Sequence, residues 1–284
     1  MMVDIGRWVA YEPHHDAEQL RLQRDNLVTL PVWNNYGYVR YIPSRHLLEM
    51  EYLLEDVTSY INVHDTSVIL DKEVYYSAKL EGAVTTLQRA QSIHNGAPVE
   101  DINDAMLLGG FRATKLLNIF GGRIDHDILH MVWCELINNC CQNEEIRGDH
   151  YRNGEVYISG SDFDAVPCDK LVEAMSSFIQ FYMSDTLDTM PFVKAAIVHY
   201  TFETIHPFCD GNDRLGRLLM NNLLIKLGFD ACRVVSFSKY IDENRSMYDW
   251  AFEASENAYC DCTPFIEYML EWMLKAFYNV NMEE

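Results

Sequence analysis

Apolar residues recur at spacings of three and four through most of this chain. Leu47, Leu48, Leu54 and Val57 flank Glu51 in one stretch, and Leu171, Met175, Phe178, Ile179 and Tyr182 form another. Such spacing lines one face of an α-helix. It predicts helices over about 45–62, 68–91, 100–120, 124–143, 169–184, 191–204, 213–227, 241–256 and 263–279, so the fold class is mainly α. The first 45 residues read differently. Pro13, Pro31, Gly37 and Pro43 punctuate short aromatic runs there, which predicts an extended arm wrapping the body. The stretch from Gly154 to Gly160 alternates between glycine boundaries and predicts a small hairpin or flap. No internal repeat is visible.

Composition adds limits. A chain of 284 residues that is 49% hydrophobic can bury a sizeable core, as one domain or as two packed ones. Its net charge of -21, from 22 basic against 43 acidic residues, argues against nucleic acid as a partner, because phosphate neutralisation needs clustered Lys and Arg. Any nucleotide handled by so acidic a chain needs a local cationic or metal-assisted pocket. Eight cysteines without a CxxC pair read as reduced thiols. No run of about 18 apolar residues and no leader-type segment occurs. The expectation is a cytoplasmic protein with no membrane span.

The segment from Ile205 to Arg217, IHPFCDGNDRLGR, concentrates the chemistry. Pro207 pushes His206 out of helical conformation, so a helix stops there. Gly211 permits a left-handed turn or a close backbone approach, and apolar spacing resumes at Leu215, Leu218, Leu219 and Leu223. A loop feeding a helix N-terminus results, with unpaired N–H groups and a positive dipole end suited to phosphate. Asn212 and Asp213 stand at capping positions. Arg214 and Arg217 lie three apart on one face, where both guanidiniums can reach one anion. Asp210 offers a hard oxygen ligand for Mg²⁺, and His206 is the group able to act as general base near neutral pH. Phe208 is an apolar anchor for the loop.

This segment resembles the signature HxFx[DE]GNGRxxR of the Fic (filamentation induced by cAMP) family at every position but one. Ala195, Ala196, His199 and Phe202 look like the family's lead-in helix. Gly148, Tyr151 and Arg152, followed by Val156, Tyr157 and Ile158, look like its loop and target-docking flap, and Tyr248 and Asp261 to Ile266 are similar to its closing helices. The resemblance spans about residues 70–275. It implies a helical bundle with a small β-hairpin flap, divided into an N-terminal region at about 1–100 and a catalytic core at about 101–284, with the flap at about 148–160 and the motif loop at about 206–217. It also implies transfer of AMP from ATP to a Ser, Thr or Tyr hydroxyl of a target protein. In that scheme His206 deprotonates the hydroxyl and Asp210 holds Mg²⁺ on the α and β phosphates. Gly211 and Asn212, with the residue at 213, form the anion hole, and Arg214 and Arg217 bind the outer phosphates.

A second segment, Ser77-Ala-Lys-Leu-Glu81-Gly82, resembles the inhibitory pattern [ST]xxxE[GN] of Fic proteins that carry their own brake. Ser77 and Glu81 share a helical face, and Gly82 leaves room for another element. The implied role is a salt bridge from Glu81 to Arg217 that displaces the terminal phosphate of ATP. Dimer contacts would relieve or reinforce such a brake, so a homodimer is compatible with it.

The departure from the signature is Asp213, where the family has glycine. A carboxylate about 5 Å from a phosphate charge costs roughly 3 kcal/mol at an effective dielectric near 20. Three functions follow: a self-inhibited protein adenylyltransferase that can also remove AMP, an impaired fold acting as a nucleotide-sensing or protein-binding module, or a transferase of another nucleotide or a phosphate. His126 and His130, at helical spacing, are candidate metal ligands without an evident third. The target protein is not legible.

Overall fold

The computed structural model describes residues 27–63, 67–138, 150–156, 164–187, 190–257 and 261–283. Two strands, β1 (Val28–Asn34) and β2 (Gly37–Tyr41), precede the helices α1 (Arg45–Ser59), α2 (Ser67–Leu80), α3 (Leu87–His94), α4 (Ile102–Ile119), α5 (His126–Leu136), α6 (Leu171–Met183), α7 (Pro191–Ile205), α8 (Asn212–Lys226), α9 (Phe237–Glu243), α10 (Arg245–Asn257) and α11 (Thr263–Glu283). The starts are set by local chemistry. The Ser44, Thr86, Asp101 and Asp125 side chains each accept from a backbone N–H three residues on, satisfying first-turn donors. Pro191 opens α7 with a preset φ.

α7 is the axis of the bundle. Every one of its residues is buried, as expected of a helix surrounded on all sides, and α1, α6, α8 and α11 pack around it. The α7–α8 crossing is close because of Gly216: a β-carbon there would lie 2.3 Å from Glu203 Oε1 and 2.9 Å from His199 Nδ1. The Glu51 carboxylate of α1 accepts from Phe192 N–H at 2.9 Å and Val193 N–H at 2.8 Å, capping α7 from a neighbouring helix.

Some boundaries differ from the sequence expectation, for local reasons. The helix expected over 68–91 is two, α2 and α3, because Gly82 takes a left-handed φ of 86° and ends the first, while Thr86 caps the second. The stretch expected as one helix over 241–256 divides at Asn244 into α9 and α10. The N-terminal arm, where described, is the antiparallel β1–β2 hairpin. Its Leu30, Val32, Val39 and Tyr41 are buried in the main core, and Asn34 Nδ2 donates to Thr204 Oγ1 on α7 at 3.3 Å. In the expected flap, Gly154 to Val156 form no strand, and Tyr157 and Ile158 lie outside the described residues. Among the described residues, no helix is long and apolar enough to cross a membrane.

Candidate active site

The site forms where α7 gives way to α8. His206 ends α7 in the left-handed region, φ 50° and ψ 61°, outside the right-handed helical region that the following Pro207 disfavours. Its imidazole Nδ1 lies 3.3 Å from the Glu203 carbonyl. Its carbonyl accepts from Arg152 Nε at 2.8 Å, and Arg152 N–H donates to the Pro207 carbonyl at 3.0 Å. Arg152 is 3% exposed and thus fixes the loop's first half from the segment before α6.

The turn itself closes on Asn212. Its side chain accepts from Phe208 N–H and donates to the Phe208 carbonyl, both at 2.9 Å. Asn212 is therefore the first residue of α8, and Gly211 is the N-cap, at φ 79°. A β-carbon at Gly211 would stand 3.1 Å from Ile137 Cγ2, so both the conformation and the close approach call for glycine. Phe208 is fully buried and stacks on Trp133 at 4.7 Å. The Trp133 indole N–H donates to the Asp210 carbonyl at 2.9 Å. Asp210 keeps its carboxylate half-exposed, 3.6 Å from Arg214 Nη2.

The two arginines of α8 face different surroundings. Arg217, 3% exposed, donates from Nη2 to Glu81 Oε1 at 2.7 Å. The same guanidinium reaches Ser77, from Nε to the hydroxyl at 3.2 Å and from Nη2 to the carbonyl at 3.1 Å. Arg214 is also buried, but its Nε and Nη1 have no hydrogen-bond partner among the described residues. It borders a small cavity of about 30 Å³ between α2, α4 and α8, together with Ser77, Ala78, Gly110 and Asn221. Gly82 has nothing within 4 Å of where its side chain would be. Its glycine serves the turn that ends α2, not the approach of another element.

Asp213, in the first turn of α8, is half-buried, and its charge acts on Glu203, Arg217, Tyr248, His199 and His206. Burial, then the Asp213 charge, holds Glu203 well above the carboxylate range. Burial, with Arg217 beside it, pushes His199 down to about 3; this neutral ring lies 2.7 Å from the Tyr248 hydroxyl. Burial lowers His206 below its ordinary value of 6.5, against the raising pull of Asp213. Arg217 stays above its usual value despite burial because Glu81 and Asp213 both face it.

Among the described residues, no group of three or more His, Cys, Asp or Glu side chains could hold a metal. His126 bonds Tyr151 at 2.6 Å and Ser176 at 3.1 Å, while His130 contacts Cys134 at 3.6 Å, so the two are engaged separately. Asp210 offers a half-exposed hard oxygen at the turn. One carboxylate suits Mg²⁺ that arrives with nucleotide phosphates, since that ion keeps most of its shell as phosphate and water. Trp133 and Arg152 hold the loop, and sequence reasoning gave neither that task. An indole or guanidinium far along the chain leaves no local signal of the carbonyl it will meet.

Comparison with known proteins gives concordant results. Residues 123–224 match the Fic/DOC family model. Over 167 residues the chain is 32% identical to protein adenylyltransferase Fic of Drosophila melanogaster, covering 56% of this chain and 33% of that protein. The Drosophila mojavensis protein of the same name is 27% identical over 208 residues, 70% of this chain and 39% of the relative. The chain thus spans about a third of the length of the curated relatives it matches. In fold it is similar to a Fic family protein from Desulfovibrio desulfuricans, with TM-score 0.75 at 18% identity over 86% of this chain and 76% of the other. It is also similar to residues 134–508 of Fic-1 from C. elegans, with TM-score 0.67 at 21% identity over 84% and 72%.

Proposed function

Residues 123–224 being a Fic/DOC-family domain, we propose that this protein is a self-inhibited protein adenylyltransferase, transferring AMP from ATP to a protein hydroxyl. The observation that supports the reading is the ion pair of Glu81 with Arg217 at 2.7 Å, on the helix that follows the His206 loop. In this reading the α8 N-terminus and Arg217 bind phosphates. Asp210 would hold Mg²⁺, which neutralises phosphate charge when bound. His206, its imidazole kept neutral by burial, takes the proton from the attacking hydroxyl. The buried, hydrogen-bonded turn keeps these groups positioned, and positioning with electrostatics supplies most of such catalysis. Glu81 opposes the reaction by occupying the guanidinium that a terminal phosphate needs. The acceptor is a protein: the curated relatives are named protein adenylyltransferases, and a Fic structure of similar fold is described as covalently tethered to Cdc42.

The test uses purified protein, Mg²⁺ and ATP labelled at the α or γ phosphate. Label from the α position on protein, stronger in Glu81→Gly and absent in His206→Ala, is the expected result. Label from the γ position would replace nucleotidyl transfer by phosphotransfer. The Asp213 charge beside Arg217 favours one second reading, an impaired site that senses nucleotide or binds protein. Silence in the wild type and Glu81→Gly that Asp213→Gly cures would establish it. Silence persisting in Asp213→Gly refutes both.

A further inference from the structure

α2, with Glu81 in the turn just past its end, meets α8 and α9–α10 very differently. Toward α8, the hydrogen bonds it makes among the described residues are those of Ser77 and Glu81 to Arg217, and beside them lies the cavity of about 30 Å³. Toward α9 and α10 the ties run from the middle of the helix to its end. The Glu73 carboxylate accepts from Ser236 Oγ at 2.9 Å, Ser238 N–H at 3.1 Å and Ser238 Oγ at 2.5 Å. Lys79 pairs with Asp242 at 2.6 Å, and Arg245 donates to the Leu80 carbonyl, one residue before Glu81.

Glu73 and Ser77 lie one turn apart on α2, about 6 Å at 1.5 Å per residue, and Glu81 follows in the turn just past Leu80, its N–H donating to the Ala78 carbonyl at 3.1 Å. A rigid helix carries a displacement at Glu73 to its last residue, Leu80, and so to the turn that holds Glu81. Ser236 also caps α9, accepting from Lys239 N–H at 3.3 Å, so the hydroxyl that starts α9 is shared with the α2 clamp.

We propose that Glu73 is the positioning residue for Glu81, and that the segment from Ser236 to Arg245 is the lever that keeps Glu81 on Arg217. The inference rests on the reading that Glu81 restrains transfer at Arg217. Hydrogen bonds to a charged group are the strong ones, and losing several at once corresponds to about a tenfold or larger change in the population of the restrained position. A signal acting on the start of α9 would therefore loosen the brake without touching the nucleotide site.

Glu73→Ala tests this in two assays. Transfer of α label should rise about tenfold over wild type, with no further rise when Glu73→Ala is added to Glu81→Gly. Hydrogen exchange at the amides of residues 76–82 should quicken. Wild-type labelling in Glu73→Ala, alongside raised labelling in Glu81→Gly, overturns the proposal. If Glu81→Gly itself stays unlabelled, the transferase reading fails, and exchange decides the positioning claim: faster exchange at 76–82 sustains it, unchanged exchange ends it. Should Glu73→Ala not fold by circular dichroism, Ser238→Ala and Glu73→Gln carry the same comparison with smaller expected effects.

Discussion

Replacing Glu81 with glycine should tighten ATP binding and destabilise the empty protein at once. The carboxylate lies 2.7 Å from Arg217 Nη2, with side-chain exposures of 24% and 3%. Two charges about 4 Å apart at an effective dielectric near 20 interact by about 4 kcal/mol. Half of that is retained on removal, because Asp213 and Ser77 still face the guanidinium and the acid is partly solvated. A gain of about 2 kcal/mol means roughly thirtyfold tighter binding of a terminal phosphate. Without nucleotide, the same change leaves a buried cation less compensated and lowers stability by about 2 kcal/mol. Saturating ATP restores it by mass action. Calorimetric titration with ATP and Mg²⁺ and thermal melts of the empty and loaded protein read both effects. Glu81→Gln, which keeps a hydrogen-bond acceptor and loses the charge, should fall between. If Glu81→Gly binds ATP no more tightly than wild type, or Glu81→Gln matches wild type in both assays, charge competition at Arg217 is the wrong account.

Other changes have equally definite outcomes. Asp213→Gly should raise ATP affinity about ten- to a hundredfold, since it removes a carboxylate from the first turn of α8, and equal gain in Asp213→Asn would locate the effect in charge. Because burial lowers the His206 pKa from 6.5, the base form persists into more acidic solution. The acid limb of kcat/KM should then lie below 6.5, and Asp213→Asn, removing a raising influence, should move it lower still. Glu51 is pushed by burial from 4.5 to about 7, against two N–H bonds that lower it. In that window the folded state holds a proton that the unfolded state has lost, so stability falls as pH rises from about 4.5 to about 7, by about 3 kcal/mol. Glu51→Gln should flatten that slope in denaturant titrations run across the window.

The helices were legible where one face is apolar and an acid or hydroxyl precedes it, as at Ser44, Asp101 and Asp125. Breaks at Gly82 and Asn244 were not, because apolar spacing continues across them and one residue's backbone does the interrupting, Gly82 at φ 86° and Asn244 at φ −138°. The β1–β2 hairpin hid for another reason: Leu30, Val32, Val39 and Tyr41 alternate, but prolines and a short turn make such a stretch look like an arm. In the loop, chemistry followed from local order, since Pro207 and Gly211 act on their own neighbours. Contacts across the fold did not. Ser77 and Glu81 meet Arg217 across more than a hundred residues, and their candidacy came from likeness to a family pattern. Nothing in the spacing shows the Asp213 charge acting on buried Glu203 and His199, because helix rotation and the close crossing at Gly216 decide it.

The stacking of Trp133 on Phe208 and its indole bond to the Asp210 carbonyl give this protein an internal optical reporter. Any cation or phosphate that pulls on the turn changes the polarity and hydrogen bonding around a nearly solvent-free indole, and with it the emission maximum. Binding at the loop can therefore be followed by light in the unlabelled protein, with Trp133→Phe as the blank.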